Sequence, residues 1–187
     1  MASQVEIVNR ALDKLGSKKP VVSLTDDQTT QSNLALRLYD ILRKKELSAH
    51  YWAFARERTT LAPDTVGPSF GYTYYYELPA DFLRLYKFCS SYDYTIEGRK
   101  ILTDAGPALN IIYIKDVTNT ELFDPLFVEG FAASMEAEMA EPITQSNAKK
   151  RSAQIEYKAV IAQAKLMDAI QQPPEDLEDG SWIESRL

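Results

Sequence analysis

Residues 124–171 read DPLFVEGFAASMEAEMAEPITQSNAKKRSAQIEYKAVIAQAKLMDAIQ, and their periodicity decides the fold. Asp124-Pro125 is an N-cap followed by proline at the first helical position, where the missing amide has no intrahelical partner to lose. The spacing predicts a third helix from there to about Glu141, ended by Pro142. A fourth runs from 144–147 to about Gln171 and spans roughly 40 Å at 1.5 Å per residue. Both are apolar on opposite sides. In the fourth, Ile155, Ala159, Ala162, Leu166 and Ala169 form one stripe, and Ala153, Tyr157, Val160, Ala164 and Met167 form another almost diametrically opposed. In the third, Val128, Phe131, Met135 and Met139 face one way and Leu126, Ala133, Ala137 and Ala140 the other. A monomer's surface helix needs one apolar side, and two sides call for two partners. The second stripes, Leu126, Ala133, Ala137, Ala140, Ala153, Tyr157, Val160, Ala164 and Met167, are therefore expected to form the subunit interface of a homo-oligomer. A head-to-tail contact of this kind closes into a ring when its rotation permits. The alternative is that alanine-rich stripes are solvated, alanine being the best helix former.

Upstream, Ser3-Gln4-Val5-Glu6 is a capping box, and Val5, Val8, Leu12 and Leu15 give a single stripe stopped at Gly16. Asp26-Asp27 are N-cap candidates for a second helix over about 28–49, with Leu34, Leu38, Ile41 and Leu42 turned inward. The character changes near Tyr51: prolines, glycines and aromatics become frequent and alternation replaces the helical period. Strands are expected over 52–61, 72–78, 82–89, 94–97, 100–103 and 109–115, with Glu97-Gly98-Arg99 as a hairpin turn. The expected fold is α+β, mainly α. A four-helix bundle (1–50 and 118–172) carries a β-rich antiparallel insertion (51–117) between helices two and three, and an extended acidic tail (173–187) follows.

The chain has 187 residues, 45% hydrophobic and 26% charged, the composition of one water-soluble globular domain. Mean hydropathy is −0.31, and no apolar run approaches a membrane span. The first residues lack the basic and apolar regions of a secretory signal. One cysteine, Cys89, excludes an intrachain disulfide framework, and one histidine, His50, excludes a multi-histidine metal site. The formal charge is −6, of which the tail PPEDLEDGSWIESRL contributes −4, a balance unsuited to a dedicated nucleic-acid binder.

Catalytic chemistry finds little support. No G-x-S-x-G elbow accompanies His50, which is expected beside Tyr51-Trp52 at the helix-to-strand junction. Cys89 reads as a buried small hydrophobe rather than a reactive thiol, and the glycines form no phosphate loop. No cofactor or metal site is expected. The triplets Arg43-Lys44-Lys45 and Lys149-Lys150-Arg151 read as solvated helix ends. The run Tyr72-Thr73-Tyr74-Tyr75-Tyr76 reads as core plus interface rather than a stacking platform. In the tail, Trp182, Ile183 and Leu187 read as anchors for a pocket on another protein, with the acids steering encounter.

The order Ala11-Leu12-x-x-Leu15-Gly16, Ser23-Leu24-x-Asp26, Trp52-Ala53-Phe54-Ala55-x-x-Arg58-x-x-Leu61-Ala62 and Gly71-Tyr72-x-Tyr74-x-Tyr76-x-Leu78-Pro79-x-Asp81 resembles the tail tubular protein A family. These are head–tail connector adaptors of short-tailed bacteriophages, and the resemblance covers roughly 5–171. It implies a virion structural protein rather than an enzyme, with a dodecameric ring below the portal protein and a tail nozzle protein docked beneath. Double-stranded DNA would pass through the lumen without specific binding, and no membrane is involved. It also implies that 173–187, with Trp182, Ile183 and Leu187, faces the portal, while the strands at 72–78 and 109–115 lie distally. The competing expectation is a tail-borne cell-wall or polysaccharide hydrolase, using carboxylates such as Glu77 and Asp81 beside the tyrosines.

Overall fold

The computed structural model describes residues 2–17, 19–27 and 29–171. Four helices, α1 (Gln4–Lys14), α2 (Thr30–Ser48), α3 (Pro125–Thr144) and α4 (Asn147–Ile170), enclose six strands in chain order. The strands are β1 (Arg56–Leu61), β2 (Tyr74–Glu77), β3 (Phe82–Phe88), β4 (Tyr94–Glu97), β5 (Lys100–Thr103) and β6 (Leu109–Lys115).

The helix ends follow local chemistry. At α1 the Glu6 amide donates to Ser3 Oγ (3.2 Å) and the Ser3 amide donates back to Glu6 (2.6 Å), completing the capping box. α2 begins later than expected because Thr29, not Asp26 or Asp27, receives an amide of the first turn. Asp124 caps α3, whose last turn accommodates Pro142 before Gln145 ends it in the left-handed region.

The expected four-helix bundle with a β insertion does not form. α1, α2 and α4 each pack against α3 far more than against one another, so α3 occupies the axis that four bundled helices would share. The reason lies in its sequence: Phe127, Phe131, Met135 and Met139 are buried, and so are Ala132, Ala133, Ala137 and Ala140. A helix apolar all round belongs in the middle.

Nor do the strands stand beside a finished helical body. β1-β6-β3 form one antiparallel sheet and β2-β5-β4 another. The first sheet is shared. Ile114 of β6 and Leu83 of β3 join Trp52, Phe54, Ala55 and Val117 in the helical core. Leu109, Ile111 and Tyr113 of the same β6 meet Tyr76 and Ile101 of the second sheet in a smaller core. β6 therefore reads as a nearly continuous apolar run, LNIIYIK, because both its faces are covered. Register slips in β3 at Phe82/Arg84 and Leu85/Lys87 bend that strand around β6. Gly98, at φ +59°, makes the β4–β5 hairpin turn where a side chain would be strained.

Since β6 serves both cores, Ile114→Ala should cost about 3 kcal/mol through the cavity it leaves. Far-UV circular dichroism and tryptophan fluorescence should lose their signals at one common, lowered midpoint in urea.

Candidate assembly surface

Which side of α4 faces the body is decided by its polar residues. Glu46 of α2 is fully buried. Its carboxylate accepts from the Ser134 hydroxyl of α3 (2.7 Å) and from the Tyr157 hydroxyl of α4 (2.9 Å to Oε1, 3.1 Å to Oε2). A buried carboxylate is tolerable only with such donors, so α4 must present Tyr157 inward. Burial, reinforced by the Glu46 charge, raises the Tyr157 hydroxyl above its ordinary pKa and keeps it a donor.

Three turns further on, Asp168 also points inward. It accepts the Ala53 amide (3.0 Å), and its other oxygen lies 2.9 Å from His50 Nε2, tying the last turns of α4 to the junction between α2 and β1. His50 itself sits edge-on against Trp52, whose indole N–H donates to the Glu46 carbonyl (2.9 Å). The histidine thus borders the helix-to-strand junction, as its position suggests. Between these two tethers Ile161 lies against Gly130 of α3, where a β-carbon would approach the Ile161 side chain to 2.7 Å.

These tethers place the expected interface residues inside a single copy. Ala133, Ala137, Ala140, Ala153 and Ala164 are buried, and Leu126, Tyr157 and Val160 are partly buried. The small stripe of α3 and the alanines of the second stripe of α4 pack within their own hairpin, because small residues let two antiparallel helices approach closely. Only Met167, 42% exposed, retains substantial access. Trp182, Ile183 and Leu187 lie outside the described residues.

The opposite side of α4 faces outward. Ile155, Ala159, Ala162, Leu166 and Ala169 are all exposed, with Ile155 at 70%, Leu166 at 60% and the adjacent Ile170 at 67%. Alternating steps of four and three residues make this a straight seam of the coiled-coil kind. Arg151, Lys158 and Lys165 line one flank at seven-residue intervals, and none has an acid partner among the described residues. On the other flank Glu156 is already paired with Lys14 (2.7 Å).

α2 shows a similar rotation. Arg43 is buried and forks onto Asp116 at the end of β6 (Nε 3.1 Å, Nη2 3.1 Å), with Asp40 on Nη1 (2.6 Å). Arg43 is therefore no solvated helix end, although Lys44 and Lys45 remain exposed. Having Arg43 and Glu46 inside turns Ile41 outward, where the period alone had placed it inward.

The carboxylates of the hydrolase expectation have partners within the fold, and Cys89, expected to be buried, is exposed. Asp81 accepts from the Tyr113 hydroxyl (3.0 Å), and its carbonyl accepts the Asp116 amide (2.7 Å). Glu77 sits opposite Lys100 in the β2–β5 ladder. In the tyrosine run, Tyr76 is core, and Tyr75 lies under the Lys100 ammonium (4.8 Å), itself paired with Asp64 (2.7 Å). Among the described residues no cluster of metal-ligating side chains occurs, and no helix is long and apolar enough to cross a membrane. No family model matches the chain, and no curated protein does.

Ser134→Ala and Tyr157→Phe should each destabilise by about 1–3 kcal/mol, and the double variant by more than the sum, since it strips the buried Glu46 carboxylate of both hydroxyl donors. Urea unfolding of the four proteins closes that cycle. Glu136, buried on α3, has its pKa raised by burial and then by the Glu156 charge, with Lys14 opposing. Its protonated form is the one the fold favours, so its contribution is present below pH 4.5 and lost as pH rises through the higher folded value. Glu136→Gln should therefore raise the urea midpoint at neutral pH, and the gain should vanish below pH 4.5.

Proposed function

We propose that this chain is a structural head–tail connector of a short-tailed bacteriophage: an adaptor whose copies form a ring between the portal protein and the tail nozzle, and through which double-stranded DNA passes. The observation that carries the reading is the outward seam of α4. Ile155, Leu166 and Ile170 stand largely in water along a helix whose other side is already packed. A continuous apolar stripe on an exposed face marks a surface made for another protein.

Its flank indicates the kind of contact. An antiparallel two-fold pairing of α4 with itself would bring Arg151, Lys158 and Lys165 against the same bases of the other copy, which is unfavourable. A different, acid-bearing surface of the next copy suits the seam better. Such a heterologous contact repeats around a ring when the rotation closes. The copy number expected from the family resemblance is twelve.

Two further features support the reading. The motifs that resemble the connector family lie between Ala11 and Asp81 and include residues of both the first helix and the start of the β-rich region. The net charge of −6 also suits a conduit, since each phosphate held by a basic lining would slow the passage of DNA. In this reading the adaptor resides in the virion, and its tail residues Trp182, Ile183 and Leu187 dock on the portal.

Ala162→Glu and Leu166→Glu place a charge on the seam without touching the core. Each should abolish the rings seen by negative-stain microscopy when the chain is mixed with its portal protein. Far-UV circular dichroism and thermal midpoint should stay at the wild-type values. Rings formed by both variants at wild-type yield would refute the proposal.

A further inference from the structure

The outward seam of α4 is apolar and flanked by bases, and the chain carries a second exposed apolar patch flanked by acids. It lies on β4, the outer strand of the β2-β5-β4 sheet. Tyr92, Tyr94 and Ile96 are each at least 40% exposed, although Phe88 stacks on the Tyr94 ring (4.4 Å). Asp93 and Glu97 bracket the strand, both exposed and neither in an ion pair among the described residues. β4 pairs with β5 alone, and no backbone hydrogen bond among the described residues reaches its outer edge. Native proteins cover such an edge, and a helix is one of the covers. Elsewhere the chemistry differs. Leu36 and Ile41 stand among Arg37 and Lys44 on α2, and Val66 and Phe70 follow Asp64, which Lys100 already holds (2.7 Å).

We infer that the β4 edge of one copy is the surface that receives the α4 seam of the next. Ala159 and Ala162 leave a saddle between Ile155 and Leu166, and Tyr94 and Ile96, on one face of β4, fill it. Alternation turns Asp93 and Glu97 toward the other face, so a helix laid along the edge sets its basic flank against them. The spacings agree. Asp93 and Glu97 stand about 13 Å apart along an extended chain, and Lys158 and Lys165 about 10.5 Å apart along α4. Pairing β4 with a second β4 around Thr95 would instead oppose Asp93 to Glu97 twice, which like charges disfavour. Each copy thereby offers one basic and one acidic surface, and the contact repeats head to tail. This inference rests on the proposed use of the seam for assembly and names its counterpart.

Charge reversal on either side tests it. Lys158→Glu with Lys165→Glu makes both surfaces acidic, and Asp93→Lys with Glu97→Lys makes both basic. Far-UV circular dichroism should show each double variant folded. Mixed with the portal protein, each alone should give several-fold fewer rings than wild type in negative-stain images. An equimolar mixture of the two should restore near wild-type yield, because every contact of an alternating ring again joins opposite signs. A covalent arm leaves the charges untouched. Cys89, the single cysteine, is exposed next to Phe88 and so beside Tyr94. With Ala162→Cys, bismaleimidoethane should join Cys89 of one copy to the introduced thiol of another in assembled rings, building a ladder of multimers that Cys89→Ser abolishes. Wild-type ring yield from the Asp93 and Glu97 variant alone would overturn the inference, and so would a mixture that stays unassembled. If Leu166→Glu still abolished the rings in that case, the seam and the ring would stand and the counterpart would lie elsewhere. A ladder built through Cys89 alone would also overturn it, since β4 would then meet another β4. Rings indifferent to Ala162→Glu and Leu166→Glu would remove the assembly reading, and this inference with it.

Discussion

A carboxylate without water dictates much of this architecture. Glu46 lies at the centre of three helices with no exposed surface, and the penalty for an unpaired charge there exceeds what any single apolar contact returns. Its donors must come from the neighbours, and they do: Ser134 from α3 and Tyr157 from α4. Once those bonds are required, the rotation of each helix about its own axis is fixed. α2 turns Glu46 and Arg43 inward and Ile41 outward, and α4 turns Tyr157 inward and Leu166 outward. The backbone carbonyl of the same Glu46 holds the Trp52 indole, so the chain leaving α2 is anchored to the same point.

Local signals were readable where the chemistry is local. The capping box at Ser3 and Glu6, the Asp124-Pro125 start, the hairpin at Gly98 and the short strands at 94–97, 100–103 and 109–115 all stand where the sequence places them. Rotation about a helix axis is not local. The two stripes of α4 carry comparable apolar area, so periodicity identifies both and ranks neither. The ranking came from hydrogen bonds to residues 111 and 118 positions away, those of Tyr157 with Glu46 and Asp168 with His50. One clue was present: an aspartate inside the otherwise apolar LMDAI marks a side chain that needs a partner. Ile161 belongs to neither stripe, yet it is the residue that meets Gly130. The failure of the bundle has the same origin. A helix apolar on all sides, with three others to cover it, takes the centre.

Most residues that carry the family resemblance are framework. Trp52 and Ala55 lie in the helical core, and Tyr76 and Leu78 in that of the sheets. Asp81 joins the start of β3 to β6 through Tyr113 and Asp116. They specify a shape more than a chemistry. In the proposed reading, function falls to what the core leaves over, chiefly the outer flank of α4.

The strand β6 has a mechanical consequence. With Ile114 wedged among the helices and Ile111 and Tyr113 clamped between the sheets, the two halves share a beam rather than a hinge. A tilt imposed on the β2-β5-β4 sheet cannot be absorbed by bending a linker between it and the helices. It is handed on to the helices through β6 and its neighbour β3, whose Leu83 packs against the same helical core.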